Sequence, residues 1–228
     1  CRFRDQEGAP HDAAWEEAGE GPRALWKRMG EAGLLGIDMP EPLGGAGADF
    51  AITQLVIEEI SRRGYGGLAS AYNIHANIVM PYLLHIATPA QQQRWLPAMA
   101  SGEVIGAIAM TEPGAGSDLA GMKSRARRTE GGWRLDGGKI FITNGQVADL
   151  VIVCAKTDPE AGARGVSLFL VDTSLPGFSR GQPIRKIGQH ASDTAELFFD
   201  GIELPADALL GEEGKGFAYL MQELPRER

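Results

Sequence analysis

The sequence of 228 residues is poor in cysteine, in long apolar runs and in basic charge. Cys1 and Cys154 are the only cysteines, with no CxxC pair and no His/Cys cluster, so neither a disulfide framework nor a zinc site is expected. The chain has no secretory-signal pattern and no run of about eighteen apolar residues that could span a membrane, which predicts a soluble, intracellular protein. With 30 acidic against 22 basic residues and no basic stripe, the composition argues against a nucleic-acid partner.

The chain is 43% hydrophobic, which is enough apolar material for one large domain or two ordinary ones. It begins at Cys1 without an initiator methionine and ends at Arg228 inside a helical pattern. We therefore expect the sequence to be part of a longer protein.

Helical periodicity in the first half predicts an amino-terminal α-helical domain over residues 1–103. Asp49 and Thr88 each stand where an N-cap is needed, directly ahead of a predicted helix. Residues 68–86 are apolar around most of the helical circumference, which is typical of a central helix. Within that stretch, Pro81 predicts a kink or a join between two helices.

Alternating, β-branched segments separated by Gly and Asp turns predict a middle β domain over residues 104–212. Residues 133–135 and 140–142 are expected to form a hairpin around a turn at 136–138. Further strands are expected at residues 149–156, 166–172 and 196–200. Because no helix-length segment separates the strands, we predict an antiparallel β-barrel or sandwich. Helical periodicity returns over residues 213–228, as the start of a truncated carboxy-terminal helical domain, so the predicted fold class is α+β.

The densest candidate for chemistry is Ile108-Ala-Met-Thr-Glu-Pro-Gly-Ala-Gly-Ser-Asp118, a strand that enters a glycine-rich turn. Exposed amides and hydroxyls in such a turn can receive an anionic cofactor. On local pattern alone, an ordinary turn with Ser117 or Asp118 as a helix cap is the favoured interpretation. A P-loop is excluded because no Gly-Lys-Ser/Thr follows, and the Rossmann fingerprint fails at Leu119. The four histidines fall in no metal-ligand spacing, so no metal is expected.

Four segments follow one another along the second half of the chain. They are Met110-Thr-Glu-Pro-Gly-Ala-Gly-Ser-Asp118, Gly138-Lys-Ile-Phe-Ile-Thr-Asn-Gly145, Gly165-Val-Ser-Leu-Phe-Leu-Val-Asp172 and Ser192-Asp-Thr-Ala-Glu-Leu-Phe-Phe-Asp200. In sequence, order and spacing they resemble the signature segments of the acyl-CoA dehydrogenase family. The final Leu-Pro-x-Glu-Arg, together with residues 107–110 and 194–199, is most similar to the long-chain branch. The resemblance covers the whole chain and implies the amino-terminal and middle domains of that family.

The resemblance implies that the cofactor is FAD and that eight residues line it. These are Ile108, Met110, Thr111, Gly116, Ser117, Phe141, Ile142 and Thr143. Thr111 would meet the pyrimidine end of the ring, Thr143 would direct its hydroxyl to flavin N5, and Ser117 would lie near the flavin phosphates and the substrate's pantetheine arm. Many family members carry Tyr in place of Ile108 and Trp in place of Phe141, so this chain departs from the pattern there. A core aromatic on a hairpin is the alternative interpretation of Phe141.

By the same resemblance, Glu227 is the catalytic base and Arg228 helps to shape the substrate site. The reaction needs a carboxylate because the α-C–H of a thioester is weakly acidic, and a desolvated Glu with a raised pKa can take its proton. Without the resemblance, the two residues are merely charges on a terminal helix.

The implied activity is α,β-dehydrogenation of a medium- to long-chain acyl-CoA to the trans-2-enoyl product in fatty-acid β-oxidation. Also implied are an electron-transferring flavoprotein as acceptor, a homotetramer at full length, and a location in the bacterial cytoplasm or the mitochondrial matrix. Two alternatives stay open at this point. One is an acyl-CoA oxidase-like flavoenzyme, and the other is a non-catalytic fragment that serves as an interaction module.

Overall fold

A computed structural model describes residues 3–8, 10–62 and 64–227. The helices are α1 Asp12–Ala18, α2 Arg23–Glu31, α3 Phe50–Ser61, α4 Gly66–Tyr72, α5 Met80–Ile86, α6 Pro89–Ala100 and α7 Gly216–Glu227. The strands are β1 Gly106–Ala109, β2 Arg125–Thr129, β3 Gly132–Thr143, β4 Leu150–Lys156, β5 Val166–Asp172, β6 Phe178–Arg180, β7 Thr194–Pro205 and β8 Leu209–Leu210. Six helices thus precede the strands and one follows them.

The helix starts follow the local chemistry of their caps. The Asp49 carboxylate accepts a hydrogen bond from the Ala51 N–H at 2.7 Å, and Thr88 forms a reciprocal capping box with Gln91. Both predicted caps are confirmed. Pro81 lies in the first turn of α5, where its missing N–H is tolerated, and a π-helical segment, Asn73–Val79, connects α4 to α5. The predicted join at this proline is therefore present.

The eight strands form one sheet in the order β6-β7-β3-β2-β4-β5-β8, with β1 paired to β4. The predicted α+β class is confirmed, but two details differ from the prediction. The sheet is mixed, because β1 runs parallel to β4 with Gly106 opposite Leu150, and it is open rather than closed into a barrel. The β2–β3 hairpin lies between β1 and β4 in sequence and returns the chain to the same end, so their parallel pairing needs no crossover helix.

The predicted hairpin with a turn at residues 136–138 is wrong, because β3 continues as a single strand through those residues. Gly137 serves close packing instead. Its φ of 146° and the approach of Ser124 leave no room for a side chain, since a Cβ there would lie 2.3 Å from Ser124 Oγ. The hairpin turn lies earlier, at residues 130–131 between β2 and β3.

The hydrophobic core has one cluster on each face of the sheet, and β4 contributes side chains to both clusters. Leu150, Ile152 and Cys154 pack in the cluster that faces the helices, whereas Val151, Val153 and Ala155 pack in the cluster on the opposite face. A strand that is buried on both faces gives a continuous apolar run, which explains why β4 was recognisable in the sequence. Among the helices in the described part of the chain, none combines the length and apolarity needed to cross a bilayer.

Candidate functional site

The glycine-rich segment follows β1 directly and folds into a tight turn. Glu112 and Ala115 exchange two backbone hydrogen bonds of 3.0 Å each. Met110 and Thr111, which stand between the strand and the turn, are half-buried. The two residues therefore lie at the edge of the core, where their backbone groups and the Thr111 hydroxyl can contact a ligand.

The backbone beyond the turn is open. At Gly116 no atom lies within 4 Å of the position that a Cβ would occupy, and both Gly116 and Ser117 are exposed. Ile108 differs, because it is 7% exposed and its side chain packs in the apolar cluster that contains Ile152. The side chain of Ile108 is thus part of the core, unlike the exposed Gly116 and Ser117.

The second candidate segment lies at the end of β3, on a β-bulge. The pairing of β3 with β7 shifts register between Lys139 and Ile142 because β3 carries an extra residue there. Within the bulge Phe141 has a φ of 61° and is 61% exposed. Ile142 is buried in the core, and Thr143 is half-buried opposite Thr194. The bulge thus turns an aromatic ring outward at the cost of backbone strain.

The fold brings the two candidate segments into direct contact. The Ile140 N–H donates to the Thr111 carbonyl at 2.9 Å, and the Lys139 Nζ donates to the Met110 carbonyl at 3.0 Å. Residues that lie far apart in the sequence are therefore adjacent in the fold, and the two segments together form the proposed cofactor surface. Whether they bind a cofactor remains a prediction.

A buried ion pair beneath this surface was not predicted. The side chains of Lys139 and Glu112 are 0% and 6% exposed, with Lys139 Nζ 2.9 Å from a carboxylate oxygen. Burial alone would raise the pKa of Glu112, but the Lys123 N–H, the Lys139 ammonium and Ser124 together hold it below its usual value. One sequence signal was available: the alternation that points Trp133 inward also points Lys139 inward.

The end of α7 is held by polar contacts with the amino-terminal helices. Arg226 pairs with Asp38 at 2.5 Å, donates from Nε to the Asn77 carbonyl at 3.1 Å, and lies 4.6 Å above the ring of Phe50. Glu227 is the last residue of α7. The predicted roles of its side chain and of Arg228 lie outside what the structure describes.

No group of three or more His, Cys, Asp or Glu side chains within residues 3–8, 10–62 and 64–227 is arranged to hold a metal ion. The candidate segments themselves offer backbone amides, hydroxyls, the exposed ring of Phe141 and the buried Glu112–Lys139 pair.

Comparison with known proteins identifies both parts of the chain. The family model "Acyl-CoA dehydrogenase, N-terminal domain" matches residues 1–103, and "Acyl-CoA dehydrogenase, middle domain" matches residues 107–202. The mouse protein "Long-chain specific acyl-CoA dehydrogenase, mitochondrial" is 50% identical over 229 aligned residues, which cover 100% of this chain and 53% of the mouse protein.

Solved structures agree. An acyl-CoA dehydrogenase from Geobacillus kaustophilus has 47% identity and a TM-score of 0.96, covering 99% of this chain and 60% of its own. A glutaryl-CoA dehydrogenase from Mycobacterium smegmatis, solved in complex with FADH2, has 35% identity and a TM-score of 0.89 over 99% of this chain and 56% of its own. The chain spans little more than half the length of these proteins. On the matches to both domain models, the chain belongs to the acyl-CoA dehydrogenase family.

Proposed function

We propose that this chain is the flavin-binding part of an FAD-dependent acyl-CoA dehydrogenase that acts on medium- to long-chain acyl-CoA in fatty-acid β-oxidation. The observation that carries the proposal is the contact between the two segments of flavin-motif sequence, through Thr111 with Ile140 and Met110 with Lys139. The likeness to long-chain specific relatives, together with the Leu-Pro-x-Glu-Arg ending, supports the chain-length class.

The residues present fit FAD. The open backbone at Gly116 and the exposed hydroxyl of Ser117 offer donors to a phosphate, and the outward ring of Phe141 offers an apolar wall. Thr111 and Thr143 would supply hydroxyls to the ring system from its two sides. Ile108, Met110 and Ile142 would contribute backbone groups and apolar packing. When bound, FAD supplies the acceptor for the hydride that leaves the β-carbon of the substrate.

Glu227 would remove the α-proton of the acyl-CoA, with the proton passing to its carboxylate as the α,β double bond forms. A carboxylate is suited to this step only where desolvation raises its pKa towards that of the weak carbon acid. Arg228 would help to shape the substrate site, and Ser117 would contact the pantetheine arm. These assignments rest on the family's sequence pattern.

We further propose an electron-transferring flavoprotein as electron acceptor, assembly into a homotetramer at full length, and a location in the bacterial cytoplasm or the mitochondrial matrix. The division into an amino-terminal domain at 1–103, a flavin-binding domain at 104–212 and the start of a carboxy-terminal domain at 213–228 belongs to the same proposal. The two family-model matches lie within the first two of these ranges.

The test is an absorbance spectrum of the chain supplied with FAD, before and after anaerobic addition of a long-chain acyl-CoA. A bound flavin band that bleaches with the wild type, but persists without bleaching in Glu227→Gln, is the expected result. Glu203→Gln, on an exposed part of β7, is the matched control and should bleach normally.

Three other outcomes of the absorbance experiment would change the proposal. Rapid return of the flavin band on admission of air would favour an oxidase. Absence of any flavin binding would contradict the proposal for this chain and favour a non-catalytic interaction module. Full bleaching in Glu227→Gln would leave the flavin assignment intact and remove Glu227 as the base.

A further inference from the structure

The Glu112–Lys139 pair holds both ends of the loop formed by residues 112–124. One Glu112 carboxylate oxygen accepts from the Lys123 N–H at 2.6 Å, and the other accepts from the Ser124 N–H at 3.0 Å. The loop therefore closes on the side chain of its own first residue. Gly116 and Ser117, the residues with open backbone, lie within that loop.

Lys139 fixes the same loop to β3. Besides Glu112, its ammonium contacts the Met110 carbonyl at 3.0 Å and the Met122 sulfur at 3.9 Å, so each of its three hydrogens has a partner. These contacts hold the residues on both sides of the turn. Ser124, at the far end of the loop, lies against Gly137 of the same strand.

A buried ion pair is an expensive way to gain stability, because desolvating both charges offsets their attraction and an apolar pair of similar volume serves as well. The advantage of such a pair is geometric, because a carboxylate and an ammonium can each hydrogen-bond several backbone groups and so fix their positions. Here the groups that are fixed are the carbonyl of Met110 and the N–H groups of Lys123 and Ser124. The pair lies directly beneath the proposed cofactor surface rather than within it.

We propose that Glu112 and Lys139 are positioning residues that hold the 112–124 loop against β3 and thereby set the affinity of the chain for FAD. The second half of this statement rests on the proposed function. The first half concerns the chain alone and does not depend on any ligand.

The experiment compares the wild-type chain with Glu112→Gln, Lys139→Met and the double variant. Amide hydrogen exchange of peptides covering residues 112–124 is measured without FAD, and FAD affinity is measured by quenching of flavin fluorescence. We expect faster exchange in the loop and about tenfold or greater loss of affinity in both single variants. Each single variant leaves a buried charge without its counter-charge, an ammonium in Glu112→Gln and a carboxylate in Lys139→Met. The double variant leaves neither and should recover part of the loss.

Two controls separate this role from general loss of stability. Leu25→Ala removes a buried side chain from the cluster formed by the amino-terminal helices, and should lower stability without faster exchange in the loop. Glu213→Gln removes an exposed ion pair with Arg128 and should change neither measurement. If Lys139→Met fails to fold, the double variant, which buries no unpaired charge, takes its place.

The positioning role is overturned if the loop exchanges at the wild-type rate in the single variants. It is overturned equally if FAD affinity in those variants falls no further than in Leu25→Ala. Failure of the wild type to bind FAD would contradict the proposed function instead, and loop exchange would still decide whether the pair positions the loop.

Discussion

Among the polar contacts that hold the helices in place, two groups differ in burial, and we call them the inner and the outer seam. The inner seam consists of His75 and Asn144, both fully buried. Gly106 donates its N–H to His75 Nδ1 at 3.0 Å, His75 Nε2 lies 3.1 Å from the Met99 carbonyl, and Asn144 Nδ2 donates to the carbonyls of Gly106 and Ala71. The strand that leads into the glycine-rich segment therefore begins at a residue held on both sides.

The outer seam joins α7 to segments that precede the sheet, through the Arg226–Asp38 ion pair and a hydrogen-bonded contact between His85 and Glu223. Arg226 and Asp38 have side-chain exposures of 18% and 14%, and His85, which pairs with Glu223 at 2.9 Å, is 40% exposed. Water can replace such contacts at lower cost than it can replace fully buried ones. The start of β1, which leads into the proposed cofactor surface, is thus held by fully buried contacts, whereas the end of α7 is held by partly exposed ones.

The largest effect expected from this difference is a pH dependence of the stability that His75 of the inner seam contributes. Because burial lowers the pKa of His75 to about 4, the folded chain keeps the imidazole neutral while the unfolded chain protonates it near its ordinary value of 6.5. Its contribution to stability is therefore present above pH 6.5 and is lost as the pH falls towards 4. The stability advantage of the wild type over His75→Gln should shrink by about 3 kcal/mol between pH 7 and pH 4.

Denaturant titrations of both proteins across this range check the prediction, and Asp193→Asn supplies a control of opposite sign. Burial raises the pKa of Asp193 to about 6, so its contribution is present below its ordinary 3.8 and is lost as the pH rises through 6. If the free energy of unfolding of the wild type differs from that of His75→Gln by the same amount at all pH values, the fold does not hold His75 neutral. The inner seam would then not differ from the outer seam in its burial of a neutral imidazole.

The features predicted correctly from the sequence are those decided by neighbours along the chain. Asp49 and Thr88 cap their helices because a short polar side chain meets free N–H groups two or three residues later. β4 and β5 were recognisable because burial on both faces selects continuous apolar runs. The order of motif segments was equally visible, and the family assignment depended on it.

The features that the sequence did not reveal depend on contacts between distant residues. The parallel pairing of β1 with β4 is set by packing in the sheet, and nothing in either strand specifies its direction. A Gly-Gly pair suggested a turn at 136–138, but Gly137 is there because Ser124 approaches it. The Glu112–Lys139 pair joins side chains 27 residues apart, and both charges would normally be assigned to the surface.

A smaller effect is expected at the outer seam. Arg226→Gln removes the charge that pairs with Asp38, and should lower stability by about 2 kcal/mol. Hydrogen exchange should become faster in α7. FAD affinity should stay within twofold of the wild type, because the inner seam and the Glu112–Lys139 pair, which hold the segments proposed to bind FAD, lie outside α7. Arg62→Gln, which loses only exposed pairs with Glu58 and Glu59, is the matched control. Equal loss of FAD affinity in Arg226→Gln and Lys139→Met would show that the contacts of α7 affect the proposed cofactor surface as strongly as the Glu112–Lys139 pair does.

The smallest effect concerns backbone strain within the proposed cofactor surface. Phe141 holds a φ of 61°, a conformation that glycine adopts freely and other residues adopt at a cost of about 1 kcal/mol. Because the ring is 61% exposed, its removal sacrifices little packing. Phe141→Gly should therefore be more stable than Phe141→Ala by about 1 kcal/mol, while both lose the same affinity for FAD. Thermal unfolding of the two variants, each without FAD, measures the difference directly. Equal stability of the two variants would mean that the bulge relaxes once the ring is gone. The backbone around Phe141 would then be less rigid than the neighbouring buried Glu112–Lys139 pair suggests.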